Sequence, residues 1–345
     1  MDVDALYQQH QASLEDFWGR RENGPRFTQT IHLFGRPFLL TSNDEGVLAA
    51  ADFSLPLYST APATNHSPFS IHLVVRPIPT APGPAPDDIF EQIQYSGYGD
   101  WLTLHLSQWG HCFVDLSDGR AIAVLSPELA VRPEVVSRCL LNTLFNNFFK
   151  ASGYGMLHAT GLWRDGRALL LMAPHNSGKS TTALRLVMAG YALLSDSQIY
   201  VDPDSQRLRL FGFPVGKGKL RQDVLPHFPQ LQPFLQTELV RGEVKYGVDL
   251  RRFDPCRVQA AAVEPAAVEL CLLANNGSNH THLVPATEDE AMAAVMVNSM
   301  FYDTAEAWRR NLRPVERLLR VARCHHLVIG SEPDGIVAAV NSLWL

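Results

Sequence analysis

Apolar and polar residues alternate with a period of two along Phe27–Phe34, Pro37–Thr41, Phe69–Arg76, Trp101–Leu106, His111–Leu116 and Ala121–Leu125. These stretches are rich in β-branched and aromatic residues and are separated by turn signals such as Ser117-Asp118-Gly119, so they predict half-buried strands. Prolines crowd Pro77–Pro86 and forbid regular structure there, which marks a surface loop. Residues 1–22 are polar with scattered apolar positions and predict a loose first helix. From Pro133 to Lys150 the period changes: Val135, Val136, Leu140, Leu141, Leu144 and Phe148 fall on one side of a helix. Arg132-Pro133 puts proline in its first turn, where a missing N–H is harmless, and Ser152-Gly153 ends it. The pattern predicts a smaller, mainly β N-terminal domain over residues 1–130, of unknown role, with this helix as the bridge to a second domain over 131–345.

The second domain opens with two strands, Met156–Leu162 and Ala168–Met172, joined by a turn at Arg164-Asp165-Gly166. A loop follows, then a helix over Ser180–Ala189 stopped by Gly190, then a short strand Ala192–Ser195 that ends at Asp196. Later segments alternate between strand-like (Val268–Ala274, His326–Ile329) and helix-like (Glu288–Val297, Thr304–Ala322, Ile336–Leu343). That alternation predicts an α/β core. There is no internal repeat.

Composition narrows the classes. The 345 residues suffice for two domains, and 46% hydrophobic with 19% charged is an ordinary globular balance. A net charge of -6 supplies no electrostatic reason to bind nucleic acid or an anionic membrane. The five cysteines, Cys112, Cys139, Cys256, Cys271 and Cys324, are far apart and form no CxxC pair, which suits buried thiols better than zinc or disulfides. The N-terminus lacks the basic and apolar regions of a signal peptide, and no apolar run approaches the ~20 residues that span a bilayer. A soluble, cytoplasmic protein is expected; self-association into a homo-oligomer stays open.

The chemistry lies after the apolar strand Ala168–Met172, in the loop Ala173-Pro-His-Asn-Ser-Gly-Lys-Ser180. A strand, a tight loop and a helix opening on Lys-Ser form an anion cradle of backbone N–H groups backed by the helix dipole. Lysine adds a mobile positive charge, and the hydroxyl after it can ligate Mg²⁺, which together suit ATP. The loop departs from GxxxxGK[ST] only at Ala173, which requires a negative φ or some strain there. Gly178, Lys179 and Ser180 are intact, and Asn176 tolerates a left-handed backbone well enough to replace a glycine. The bland alternative is a surface Ser-Gly-Lys-Ser turn capping an ordinary helix. Ala168 to Asp196 is a βαβ-sized unit of about 30 residues. Its two strands end on one sheet edge, so Asp196 and Lys179 are expected to face one cleft. There a carboxylate can hold Mg²⁺ or accept a proton from an attacking hydroxyl, or it can merely cap a turn.

Leu157-His158, the short hairpin, the apolar strand, Ser177-Gly-Lys-Ser-Thr181, Ala183-Leu184 and Ala189-Gly-Tyr-Ala-Leu-Leu-Ser-Asp196 resemble the nucleotide-binding core of the HPr kinase/phosphorylase family. The resemblance covers Gly155 to Val201 and extends toward Leu250; it says little of the first 130 residues. It implies a P-loop, HPr kinase-like core with Asn176, Ser177, Gly178, Lys179, Ser180 and Thr181 on ATP and Lys179 on the β- and γ-phosphates. It further implies Ser180, with Thr181 beside it, on Mg²⁺, Asp196 as the base that deprotonates an acceptor hydroxyl, and His158 beside the phosphates. Two departures stand out. The family's Asp pair is Asp196-Ser197 here, which implies a kinase only, or a weak one. The family's acidic residue before a downstream Arg-Gly is matched by Glu238-Leu-Val-Arg-Gly-Glu243, with Glu238 set back by one position. Either Glu238 or Glu243 is a candidate metal contact.

Gly212–Arg221 alternates glycines with cations and reads as a flexible, positively charged loop. Lys217, Lys219 and Arg221, with Arg241 downstream, are candidates for holding phosphate or an acidic acceptor, or are simply solvated. His280-Thr-His282 and His325-His326 lack the context of a metal site and are assigned none. The expected function is ATP- and Mg²⁺-dependent phosphoryl transfer to a hydroxyl of a protein, peptide or small molecule. The alternative is a nucleotide-binding regulatory or assembly module without turnover.

Overall fold

A computed structural model describes residues 26–54, 68–79, 85, 89, 92–174, 177–203, 206–240, 243–275, 277, 279–298, 305–330 and 332–344. The expected helix within residues 1–22 and most of the proline-rich loop lie outside them. The chain divides into two compact units, Met1–Phe148 and Phe149–Leu345.

The first unit is built on a seven-stranded sheet: β1 (Phe27–Leu33), β2 (Arg36–Ser42), β3 (Phe69–Val75), β4 (Ile93–Tyr98), β5 (Trp101–Leu106), β6 (Gly110–Asp115) and β7 (Arg120–Leu125). The strand order is β1-β2-β3-β7-β6-β5-β4, with β3 parallel to both its neighbours and the other pairs antiparallel. Period-two alternation marks six of these strands. β4 escapes it because only Ile93 is buried and the rest of the strand is exposed, so no apolar rhythm exists to be read. The helical stretch from Pro133 belongs mostly to this unit. It runs as Pro133–Val136, a π-helical turn Ser137–Leu141, and Asn142–Ala151. Phe145 meets Phe38 edge-on at 4.9 Å and Phe148 stacks on Phe69 at 4.8 Å, which ties the helix to the sheet. The division between the two compact units, at 148/149, falls within this helix.

The second unit is mixed α/β with several sheets. Its strands are β8 (Gly155–Leu157), β9 (Thr160–Arg164), β10 (Arg167–Met172), β11 (Ala192–Ser195), β12 (Gln198–Val201), β13 (Leu210–Phe213), β14 (Lys217–Leu220), β15 (Leu235–Val240), β16 (Glu243–Asp249), β17 (Ala267–Ala274), β18 (His282–Pro285) and β19 (Ala322–Val328). The main sheet has the order β11-β9-β10-β17-β19-β18, flanked by β13-β12-β8 and β14-β16-β15. β10, β17 and β19 run parallel, and β9 lies antiparallel between β10 and β11. β10 and β11 therefore point the same way, and both end at the edge where the loop after Met172 begins.

Ala168–Met172 is fully buried, the signature of a central strand covered on both faces. Leu169 and Leu171 pack with Ala183, Leu184, Leu186 and Val187 of the helix Lys179–Met188. Leu170 and Met172 face the other way, against Val315, Leu318 and Leu319 of the helix Ala305–Val321. The alternation decides which helix covers which face. Among the described residues no helix is long and apolar enough to cross a membrane.

Two departures from the expected elements shape the site. Met156–Leu162 is not one strand: it breaks at His158-Ala159, where the chain leaves the small sheet (β8) and enters the main one (β9). The chain crosses back at Asp196-Ser197, between β11 and β12, so both crossings lie on one seam. The flanking pairs are Ser195 with Gly161 and Ile199 with Leu157. Extending that register sets Asp196 opposite Thr160 and Gln198 opposite His158. The register steps by one between Leu193 and Ser195 to reach this alignment.

Gly212–Arg221 is likewise not a flexible loop but mostly strand, β13 and β14. Its glycines serve close packing. A Cβ on Gly212 would sit 2.2 Å from the Leu194 carbonyl oxygen, and one on Gly218 would sit 3.1 Å from Leu184 Cδ2.

Candidate functional site

β10 delivers the chain into the loop, and Gly178 turns it into the helix Lys179–Met188. Gly178 has φ 88°, and among the described residues a Cβ there would touch only Ile329 Cδ1 at 4.0 Å, so glycine answers to the backbone conformation. Ala173, at the loop's start, is not among the described non-glycine residues with positive φ, which are Phe34, Ser107 and Asp165. The alanine is accommodated without strain.

Lys179 is 9% exposed, and its side chain folds back over the loop. Nζ donates to the carbonyl oxygens of Ala173 (2.6 Å) and Pro174 (3.2 Å). Burial lowers the pKa of its ammonium, and the charge of Asp196 opposes that shift. Ser177, Gly178, Ser180 and Thr181 are half-buried at the start of this helix; Asn176 lies outside the described residues.

Asp196 stands just past the end of β11, and donors from two other strands converge on its carboxylate. Thr160 Oγ1, from β9, donates to Oδ1 at 3.0 Å. The backbone N–H of Lys219, from β14, donates to Oδ2 at 3.2 Å. The Ser180 hydroxyl, from the loop's helix, lies near enough to the same carboxylate to lower its pKa. Burial pushes the Asp196 carboxyl above its ordinary value, and these hydrogen bonds pull it part of the way back. Beneath it, the buried Ser195 hydroxyl donates to the Phe213 carbonyl at 2.9 Å and accepts from the N–H groups of Ser197 and Gln198. That knot fixes the turn on which Asp196 sits. Asp196 follows β11 and the loop's helix follows β10, two strands that run the same way.

The remaining candidates are placed as follows. His158 lies in the first crossing, two residues before Thr160 and opposite Gln198 by register. Lys217 sits opposite Asp249 on β16, whose carboxylate accepts from Arg251 Nε at 2.6 Å. Lys219 reaches Asp196 through its backbone, and its side chain is exposed. Arg221 is exposed and pairs with Asp223 at 3.1 Å. Glu238 lies on β15 opposite Lys245, and Glu243 opens β16 opposite Val240; their side chains, and all of Arg241, lie outside the described residues.

Thr160 was missed by sequence reasoning, since a single threonine in an apolar stretch carries no spacing signal. His325 and His326 have ordinary partners: His325 Nε2 is 2.8 Å from the buried Glu269, and His326 Nε2 is 3.2 Å from Glu290. Among the described residues no group of three or more His, Cys, Asp or Glu gathers to hold a metal ion. What the arrangement offers is a helix start with a buried lysine, and a carboxylate held by two strands at the same sheet edge.

No family model matches the chain, and no curated protein matches it. Among solved structures, the chain is similar to the HPr(Ser) kinase/phosphatase from Coxiella burnetii, with 13% identity over 55% of this chain and 93% of that one and a TM-score of 0.27. At that TM-score the likeness carries no argument about function.

Proposed function

We propose that the second unit is an HPr kinase-like P-loop phosphotransferase, which binds ATP with Mg²⁺ at the 173–181 loop and transfers the γ-phosphoryl group to a hydroxyl of a protein, peptide or small molecule in the cytoplasm. One observation carries the reading: β10 and β11 run the same way, so Asp196 stands at the sheet edge where the loop lysine and the first hydroxyl after it open their helix. A hydroxyl and a carboxylate at one edge are two hard oxygen groups that can serve one ion. Mg²⁺ takes only one or two carboxylates and keeps water and phosphate oxygens for the rest, so a single acid beside a hydroxyl suffices to hold it. When bound, Mg²⁺ would neutralise charge on the β- and γ-phosphates.

The chain's own residues supply the rest. Loop N–H groups and the helix dipole hold the phosphates. Lys179 exchanges its two carbonyl partners for phosphate oxygens, a charge-assisted contact that outweighs neutral ones. Asp196 accepts the proton of the acceptor hydroxyl as its oxygen bonds to phosphorus and the bond to ADP breaks. The raised carboxyl pKa brings Asp196 closer to the range in which a general base works.

A second reading is favoured by Ser197, which stands where the family resemblance implies another acid. Under it the protein binds nucleotide as a regulatory or assembly module and turns nothing over. Transfer of label from γ-labelled ATP, with Mg²⁺, into size-fractionated cell extract separates the two. Wild type is expected to label one fraction. Lys179→Ala and Asp196→Asn are expected to lower that labelling by about 100-fold or more, with ATP still bound by Asp196→Asn. ATP binding by wild type without label in any fraction would decide for the module.

A further inference from the structure

We propose that Thr160 is a positioning residue for Asp196: its hydroxyl holds one carboxylate oxygen and so aims the carboxylate at Ser180 and the mouth of the loop. The proposal rests on the reading of Asp196 given above and extends it to a residue that no motif marks.

The geometry is specific. Thr160 is 0% exposed and is the first residue of β9 after the chain crosses the seam. Its backbone is locked in register against Leu171 of β10, so the hydroxyl projects from a fixed point in the main sheet. Oγ1 lies 3.0 Å from Asp196 Oδ1 and 3.4 Å from the Asp196 carbonyl oxygen. The Lys219 N–H takes Oδ2. Each carboxylate oxygen thus has its own donor from a different strand, which fixes the plane of the group before any ligand arrives. Asp196 itself lies past the last residue of its strand and outside any ladder, so side-chain contacts must do what backbone pairing does elsewhere. Partners that orient a metal-binding carboxylate in this way typically govern metal affinity by 10-fold or more.

A buried threonine can instead matter only for packing, and two substitutions separate the roles. Thr160→Val keeps the branched shape and removes the donor. Thr160→Ser keeps the donor and removes a methyl group. Positioning predicts that valine is the damaging change and that serine rescues it; packing predicts the reverse.

The test measures binding of a fluorescent N-methylanthraniloyl-ADP to the full chain as Mg²⁺ is titrated, with binding in excess chelator as the internal reference. Thr160→Val is expected to raise the Mg²⁺ concentration needed for half-maximal enhancement by about 10-fold, with Thr160→Ser close to wild type and metal-free binding unchanged in both. A valine variant that matches wild type while serine is impaired would overturn the proposal. Crystal structures of ligand-free wild type and Thr160→Val give a second test that needs no nucleotide. A carboxylate turned away from Ser180 in the variant supports positioning, and one that has not moved overturns it. If wild type shows no Mg²⁺-dependent binding, the kinase reading falls, and the crystal structures still decide the role of Thr160.

Discussion

Two hydroxyls hold the His72 ring in the seven-stranded sheet, with Thr41 Oγ1 2.8 Å from Nδ1 and Ser70 Oγ 3.1 Å from Nε2. Burial, with Arg26 and Arg120 adding to it, lowers the pKa of this histidine from 6.5 to about 4. The depressed value means that the unfolded chain binds the proton more readily between those limits. Stability is therefore fully present above pH 6.5 and is lost as pH falls toward 4, by at most about 3 kcal/mol. Urea unfolding of the first unit should show that slope, and His72→Asn should flatten it; an unchanged slope would assign the titration elsewhere. At this scale, legibility from sequence depended on whether chemistry resides in residue type or in a partner. Gly178, Lys179 and Ser180 were readable because a left-handed φ, a cation and a hydroxyl are each required at fixed spacing. Thr160 was not, because its significance comes from a carboxylate 36 residues away that only folding brings to it.

Among the elements, two of the glycines that suggest flexibility prove to be contact points. Gly212→Ala drives a methyl group into the Leu194 carbonyl oxygen, a backbone atom that cannot rotate away. It should cost about 2–3 kcal/mol in urea unfolding. Gly218→Ala meets the end of the Leu184 side chain, which can shift, and should cost about 1 kcal/mol or less. Equal costs would mean that β13 does not pack on β11 as described. The same pair of strands explains why Gly212–Arg221 resembles a loop in sequence. Glycine alternating with lysine has the hydropathy of a linker, yet the absence of Cβ atoms at Gly212 and Gly218 is what admits neighbours on one side. Apolar runs were more transparent: Ala168–Met172 announced a central strand, since only burial on both faces tolerates five consecutive apolar residues in a soluble sheet. The break at His158-Ala159 was hidden because Leu157 and Thr160 on either side of it are both fully buried, and no glycine or proline stands at the change of sheet.

For the molecule as a whole, composition excluded more than it identified. The net charge of -6 set aside any broad electrostatic footprint for nucleic acid, while nothing in it pointed to the second unit as the site of chemistry. Hydrogen exchange offers the test at this scale. Nucleotide with Mg²⁺ at about 100 times its Kd should stabilise the unit that binds it by about 2.7 kcal/mol. Exchange of the slowest amides of β10 and the helix Lys179–Met188 should then slow about 100-fold. No slowing there would contradict nucleotide binding at the loop.

The one-residue step between Leu193 and Ser195 has a genetic meaning. Before the step Leu193 faces Leu162, and carried onward unchanged that alignment would bring Asp196 against Ala159, a side chain with nothing to donate; after it, Asp196 faces Thr160. The step is one residue that β11 carries beyond its partner strand, a bulge that absorbs the length of an inserted codon. Loss of that extra residue would be expected to straighten the pair and still bring Asp196 to Thr160, whereas one residue gained between Ser195 and Asp196 would carry the acid past its partner, so in a lineage that abandoned the chemistry a short insertion there would serve as well as any change of side chain.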